Sequence, residues 1–171
     1  MLRSILEQRR KVMSFRVRAI ETEDRALVEA ALKSAWGAVR VVSRGKLWDP
    51  LELPGFVAER GGDLVGLVTY RHEADATEVV TLDSFAEGEG IGSALLEAVA
   101  DRARELGKTH LWLITTNDNI PAIRFYQRRG WDMVALHHGA LARSRQLKPE
   151  IPTHGLDGVR IDHEIEFRLA L

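Results

Sequence analysis

Apolar and polar positions trade places with two periods along this chain, and the switches between them mark the elements. In "FRVRAI" the apolar Phe15, Val17 and Ile20 are interleaved with Arg16 and Arg18, a period near two that predicts a first strand. Thr22, Glu23 and Asp24 then supply a helix start, and Val28, Ala31, Leu32 and Ala35 follow at helical spacing. The stretch "GAVRVVSRGKLWDPLELPGF" is interrupted by Gly45, Pro50 and Pro54 and reads as a short helical piece followed by irregular chain. "FVAER" and "LVGLVTYR" flank Gly61, Gly62 and Asp63, so they predict an antiparallel hairpin, and a further turn at residues 73–75 leads into a third strand, "ATEVVTLDSF".

Beyond it, Ile91, Ala94, Leu95, Ala98 and Val99 form one helical stripe that ends near Gly107. "HLWLITT" has the run of apolar residues of a buried strand, and Pro121 opens a second helix that reaches Gly130. "WDMVAL" and "HEIEFRLAL" read as strands, the latter with Ile165, Phe167 and Leu169 on one face and Glu164, Glu166 and Arg168 on the other. Residues 137–159, between these strands, hold Pro149, Pro152 and three glycines. They read as a long connection of the lid or binding-loop kind.

Composition narrows the class. The chain has 171 residues, 45% hydrophobic and 29% charged, enough for one domain over residues 14–171 with its own core. Residues 1–13 carry charge without a long apolar face and read as a peripheral leader, with Met13 an alternative start. A net charge of -1 offers no long-range attraction to nucleic acid or anionic lipid, and the absence of cysteine excludes thiol catalysis, disulfides and thiolate metal sites. With no signal-peptide run and no membrane span in sight, the expected location is cytoplasmic.

The chemistry concentrates in residues 78–96, "EVVTLDSFAEGEGIGSALL", where a strand passes through a glycine-rich turn into a helix. The first turn of a helix leaves about four N–H donors unpaired at the positive end of the peptide dipoles, which suits a phosphate. A second motif, "NIPAIRFYQRRGW", sets Asn119, Ala122, Phe125, Tyr126, Gly130 and Trp131 at fixed offsets.

The two motifs together resemble the GNAT superfamily of acetyl-CoA-dependent N-acetyltransferases, over roughly residues 15–136 and the last strand. The resemblance implies an α/β fold of the α+β type: a mixed, mainly antiparallel central sheet flanked by helices and splayed between its fourth and fifth strands. It implies acetyl-CoA as co-substrate and no metal. The pyrophosphate would be held by the backbone amides of Gly88, Glu89, Gly90, Ile91, Gly92 and Ser93. Glu87 occupies the position where the family has Arg or Gln, and both Glu87 and Glu89 are expected to point outward, since several charge-assisted amide bonds of about 1.5 to 3 kcal/mol outweigh two exposed repulsions of about 1 kcal/mol.

The resemblance further implies that Asn119 contacts the pantetheine arm beside Ala122, that Tyr126 donates the proton to the departing thiolate, and that backbone N–H groups near Thr81, Leu82 and Asp83, on a strand splayed or bulged in the family, polarise the acetyl carbonyl. Glu78 resembles a family position whose carboxylate takes the amine proton, directly or through water. The plainer reading of Glu78 is a solvated residue at the mouth of the site, sharing its strand face with Val80 and Leu82. Tyr126 has an equally plain alternative as a core tyrosine. Arg124, Arg128 and Arg129 offer cations to the coenzyme phosphates or form a solvated helix face.

The histidines, including His72, His137, His138 and His154, lack metal-site spacing, and no Gly-x-Ser-x-Gly elbow or P-loop occurs. The "GEGIGS" run departs from a dinucleotide fingerprint at Ser93, which weakens an oxidoreductase reading. A non-catalytic acyl-CoA sensor on the same fold is the other alternative, and Glu87 favours it. Trp36 and Trp48 flank the early loop and are candidates for an acceptor pocket. The expected partner is an amine acceptor, small molecule or peptide, with no nucleic acid and no membrane; a homodimer is compatible with all of this.

Overall fold

The computed structural model describes residues 15–171, so the expected leader lies outside the described residues. In chain order the elements are β1 (Arg16–Ala19), α1 (Arg25–Trp36), β2 (Val41–Ser43), β3 (Lys46–Trp48), β4 (Gly55–Arg60), β5 (Asp63–His72), β6 (Ala76–Ser84), α2 (Ile91–Glu105), β7 (His110–Thr116), α3 (Ile120–Gln127), β8 (Asp132–His137), α4 (Ala140–Leu147) and β9 (Glu164–Ala170). Seven of the strands form one sheet in the order β1-β4-β5-β6-β7-β9-β8. Every neighbouring pair is antiparallel except β6 and β7, which run parallel because α2 carries the chain back between them. No helix among the described residues is long and apolar enough to cross a membrane.

The two faces of the sheet are covered by different helices. On one face α2 buries Ile91, Leu95, Leu96, Val99, Ala100 and Ala103 against Val68, Tyr70, Val79, Leu111 and Phe167, and α3 adds Tyr126. The stripe is rotated toward Leu96 and Ala100 from the one read off the sequence. On the other face α1 buries Val28 and Leu32 against Val57 and Leu67. The short helical turn before α1 is fixed by Asp24, whose carboxylate accepts the Glu21 N–H at 2.7 Å and two bonds from Arg18 at 2.6 and 2.7 Å.

Two segments differ from the sequence reading. The early irregular stretch contains the β2–β3 hairpin, whose turn places Arg44 at φ 47° and Gly45 at φ 71°, the left-handed pair that a two-residue reverse turn requires. The long connection of residues 137–159 is not structureless, because α4 occupies its first third and a short 3-10 turn, Leu156–Gly158, its last.

β6 carries a bulge, in keeping with the splayed or bulged strand that the resemblance implies. Thr69 pairs with Thr81 and Tyr70 with Val79, so Val80 has no residue of its own opposite it. The extra residue shifts the alternation by one. Leu82 consequently sits opposite Val68 on the face of Val79 and α2, whereas Asp83, Thr81 and Glu78 sit opposite Leu67, Thr69 and Arg71 on the face of α1. The expectation that Glu78 shares a face with Leu82 is therefore corrected.

Candidate active site

The site is built where the sheet comes apart. β6 and β7 pair only through Ala76–His110, Thr77–Leu111 and Glu78–Trp112, after which β6 runs on to Ser84 and β7 to Thr116 without a common ladder. Two cavities flank this divergence. A cleft of about 990 Å³ opens on the side of α2 and α3, lined by Leu82, Ala86 and Glu87, by the turn at Gly88, Gly90 and Ser93, and by Ala122, Tyr126 and three arginines of the second motif. A second cavity of about 620 Å³ lies on the side of α1 and α4, lined by Trp36, Val41, Val80, Thr81, residues 114–116 of β7, Asn119 and much of the segment that follows β8.

The glycine turn does what its sequence requires. Gly88 and Gly90 have φ values of 75° and 80°, and Gly90 caps α2. The N–H groups of Ile91, Gly92 and Ser93 lie in the first turn, where no carbonyl precedes them in the helix. A Cβ at Gly92 would lie 3.1 Å from Phe125 Cζ, a tight contact that the absence of a side chain relieves where α3 approaches the start of α2. Arg129 locks that approach: its Nε donates to Ser93 Oγ at 2.7 Å, an NH group donates to the Phe125 carbonyl at 3.0 Å, and its guanidinium lies 3.6 Å from the Phe125 ring centroid.

The two glutamates of the turn part company. Glu89 is paired with Arg60 at the end of β4 and faces away from the cleft. Glu87 is exposed and lines the cleft, contrary to the expectation that both turn outward. Arg124, Arg128 and Arg129 line the same cleft, so the cations on it outnumber the single carboxylate. Periodicity alone gave these arginines no more weight than a solvated face; their position one helix away from the glycine turn is visible only in three dimensions.

Tyr126 is 8% exposed, ringed by Phe125, Trp131 and Phe167 at centroid distances of 5.3 to 5.6 Å, and it lines the cleft. Burial, and then the nearby Asp83 charge, push its phenol well above the ordinary tyrosine range. The hydroxyl is thus protonated at neutral pH and available as a donor. Asn119 caps α3, its side-chain oxygen accepting the Ala122 N–H at 3.2 Å, and it lines the second cavity rather than the cleft.

Glu78 is 1% exposed, so it is not a solvated mouth residue. Ser43 Oγ donates to one carboxylate oxygen at 2.5 Å and Arg71 Nε to the other, while Arg71 stacks over Trp48. Burial raises its pKa, and these two partners oppose the shift. Asp83, further along the same face, accepts from the Trp36 indole N–H at 3.0 Å, and burial raises its pKa too. Neither carboxylate lines either cavity. Among the described residues no group of three or more His, Asp or Glu side chains is placed to hold a metal ion.

The splayed mixed sheet thus carries a glycine turn and arginines beside one cavity and α1 and α4 beside the other. The Acetyltransferase (GNAT) family matches residues 25–131, and the chain belongs to that family. It is 39% identical over 133 residues to the uncharacterized protein YdhI of Bacillus subtilis (strain 168), covering 77% of this chain and 83% of that one. It is also 39% identical over 80 residues to a streptothricin acetyltransferase of Streptomyces lavendulae, covering 44% of this chain and 42% of that one. A solved Bacillus subtilis acetyltransferase in complex with CoA has the same fold, with a TM-score of 0.65 at 15% identity over 92% of this chain and 99% of that one.

Proposed function

We propose that the protein transfers the acetyl group of acetyl-CoA directly to the nitrogen of an amine. The observation that carries this reading is the gap between β6 and β7, with a phosphate-compatible cleft on one side and a second cavity on the other. Acetyl-CoA would bind with its pyrophosphate against the amides of residues 88–93 and its thioester running into the gap. Arg124, Arg128 and Arg129 supply charge to its phosphates.

The edge of β6 at Thr81 and Leu82 lies past its last pair with β7, which leaves backbone donors free to support the oxygen that becomes anionic. Tyr126, protonated and facing the cleft, gives its proton to the departing thiolate. The amine approaches from the second cavity. Glu78 does not touch it; a proton reaches Glu78 only by way of Ser43 or a water, and the carboxylate otherwise serves to hold Ser43 and Arg71 beneath the bulge.

The similarity to a streptothricin acetyltransferase supports a small molecule as acceptor. The test is consumption of acetyl-CoA across a panel of primary amines, with free thiol as the readout. Turnover with one or more amines is the expected result. Tight binding of acetyl-CoA with no turnover on any amine would instead favour the sensor reading.

A further inference from the structure

Glu164 opens β9 and is 2% exposed, yet it lines the second cavity. One of its carboxylate oxygens, Oε2, is buried without any hydrogen-bond partner among the described residues. The other accepts a long bond of 3.4 Å from Ser144 Oγ on α4, and the Arg44 backbone N–H is a further donor near the carboxylate. Two basic side chains nearby have partners of their own: the Arg44 guanidinium lies over the Trp112 ring at 5.3 Å, and His137 Nε2 meets Glu166 at 3.0 Å. Burial raises the pKa of Glu164, against opposing contributions from His137, Ser144 and Arg44.

A buried carboxylate without its full set of donors is costly, and its presence beside a cavity points to a donor that arrives with a ligand. The other ionisable groups of this cavity are committed or exposed. Asp118 accepts Thr116 Oγ1 at 2.5 Å and the Leu156 N–H at 3.2 Å. Lys148 donates to the Arg40 carbonyl at 2.7 Å, and Glu150 and His154 are exposed at the rim.

We infer that Glu164 binds a second cationic group of the acceptor, so that the preferred substrate is a small molecule carrying two amines. This rests on the acetyl-transfer reading above. Val80 and Glu164 reach the cavity from β6 and β9, with β7 between them. Glu164 pairs with Thr116 at the far end of β7, past the last β6–β7 pair at Glu78 and Trp112, so it faces Val80 across the opened part of the sheet.

The test compares diaminobutane and diaminohexane with butylamine and hexylamine on the wild-type enzyme, by steady-state kinetics and by calorimetric binding in the presence of CoA. A charge-assisted bond to a buried carboxylate predicts KM and Kd values lower by about 10-fold or more for the diamines, and Glu164→Gln should cut that preference to below about 2-fold. Equal constants for diamines and monoamines on the wild type would overturn the inference, as would a preference that survives in a folded Glu164→Gln variant. Because the wild-type comparison needs no substitution, a folding defect in the variant does not decide it. Failure here is distinct from failure of the acetyl-transfer reading: diamine binding without turnover would sink that reading and leave Glu164 its role, whereas turnover of all four amines at equal KM would do the reverse.

Discussion

Thr69 and Thr81 face each other across β5 and β6 with their hydroxyls 2.7 Å apart, both side chains buried, one position past the unpaired Val80. The bond closes the ladder directly after the bulge. Replacing Thr81 by Val leaves the Thr69 hydroxyl buried and unpaired, which costs about 1 to 3 kcal/mol, whereas changing both to Val removes the two polar groups together and restores most of that loss. Denaturant unfolding of the two single variants and the double variant measures the coupling.

Tyr126→Phe keeps the aromatic packing with Phe125, Trp131 and Phe167 and removes only the hydroxyl. If Tyr126 is the acid, kcat falls by roughly 100-fold or more while binding of acetyl-CoA and thermal stability stay near wild type. A variant with unchanged kcat would return Tyr126 to the role of a core residue.

The glutamates of the glycine turn should respond differently. Glu87→Gln removes a charge from the cleft and is expected to tighten CoA binding by up to about 1 kcal/mol, less as salt is raised. Glu89→Gln loosens the pairing with Arg60 and should leave CoA affinity unchanged. Calorimetry at two ionic strengths separates the cases, and equal effects from both changes would contradict the placement of Glu89.

Asp24 sets an acid limit on the N-terminal end of the fold. Its bonds from Arg18, then the Glu21 N–H, bring its pKa down to about 2 against the cost of burial. A lowered carboxylate contributes stability above its unfolded pKa of about 3.9 and loses it as pH falls toward the folded value. Asp24→Asn should therefore destabilise the protein by about 1 kcal/mol at neutral pH, after allowance for solvent screening, and by nearly nothing at pH ~2. Melting temperatures of both proteins over that range test the sign.

The main sheet was readable from the sequence because its strands carry long apolar runs and its hairpin turn carries Gly61 and Gly62 at positive φ. The glycine turn and the Tyr126 helix were readable because backbone chemistry fixes their residues. The remainder was hidden for physical reasons. α4 buries only Leu141 and Ser144, so it shows no apolar stripe, and β2 and β3 are three residues each, too short for an alternation to register. The bulge at Val80 leaves no mark in "EVVTLD", yet it decides which face Glu78, Asp83 and Leu82 occupy. Glu164 read as the polar side of an amphipathic strand; α4 folds over that side, so polarity in the sequence did not mean exposure.

The early end of the β6–β7 ladder also has a solvation consequence. Past Glu78 and Trp112 each strand turns toward the other an edge of peptide groups that the fold itself does not satisfy. A molecule entering the gap meets two strand edges at once and displaces water from both. Affinity there will depend on how many amide-like donors and acceptors the entering molecule offers in return for the water it displaces, so ligands of equal size and charge should separate by the polarity of their middle section.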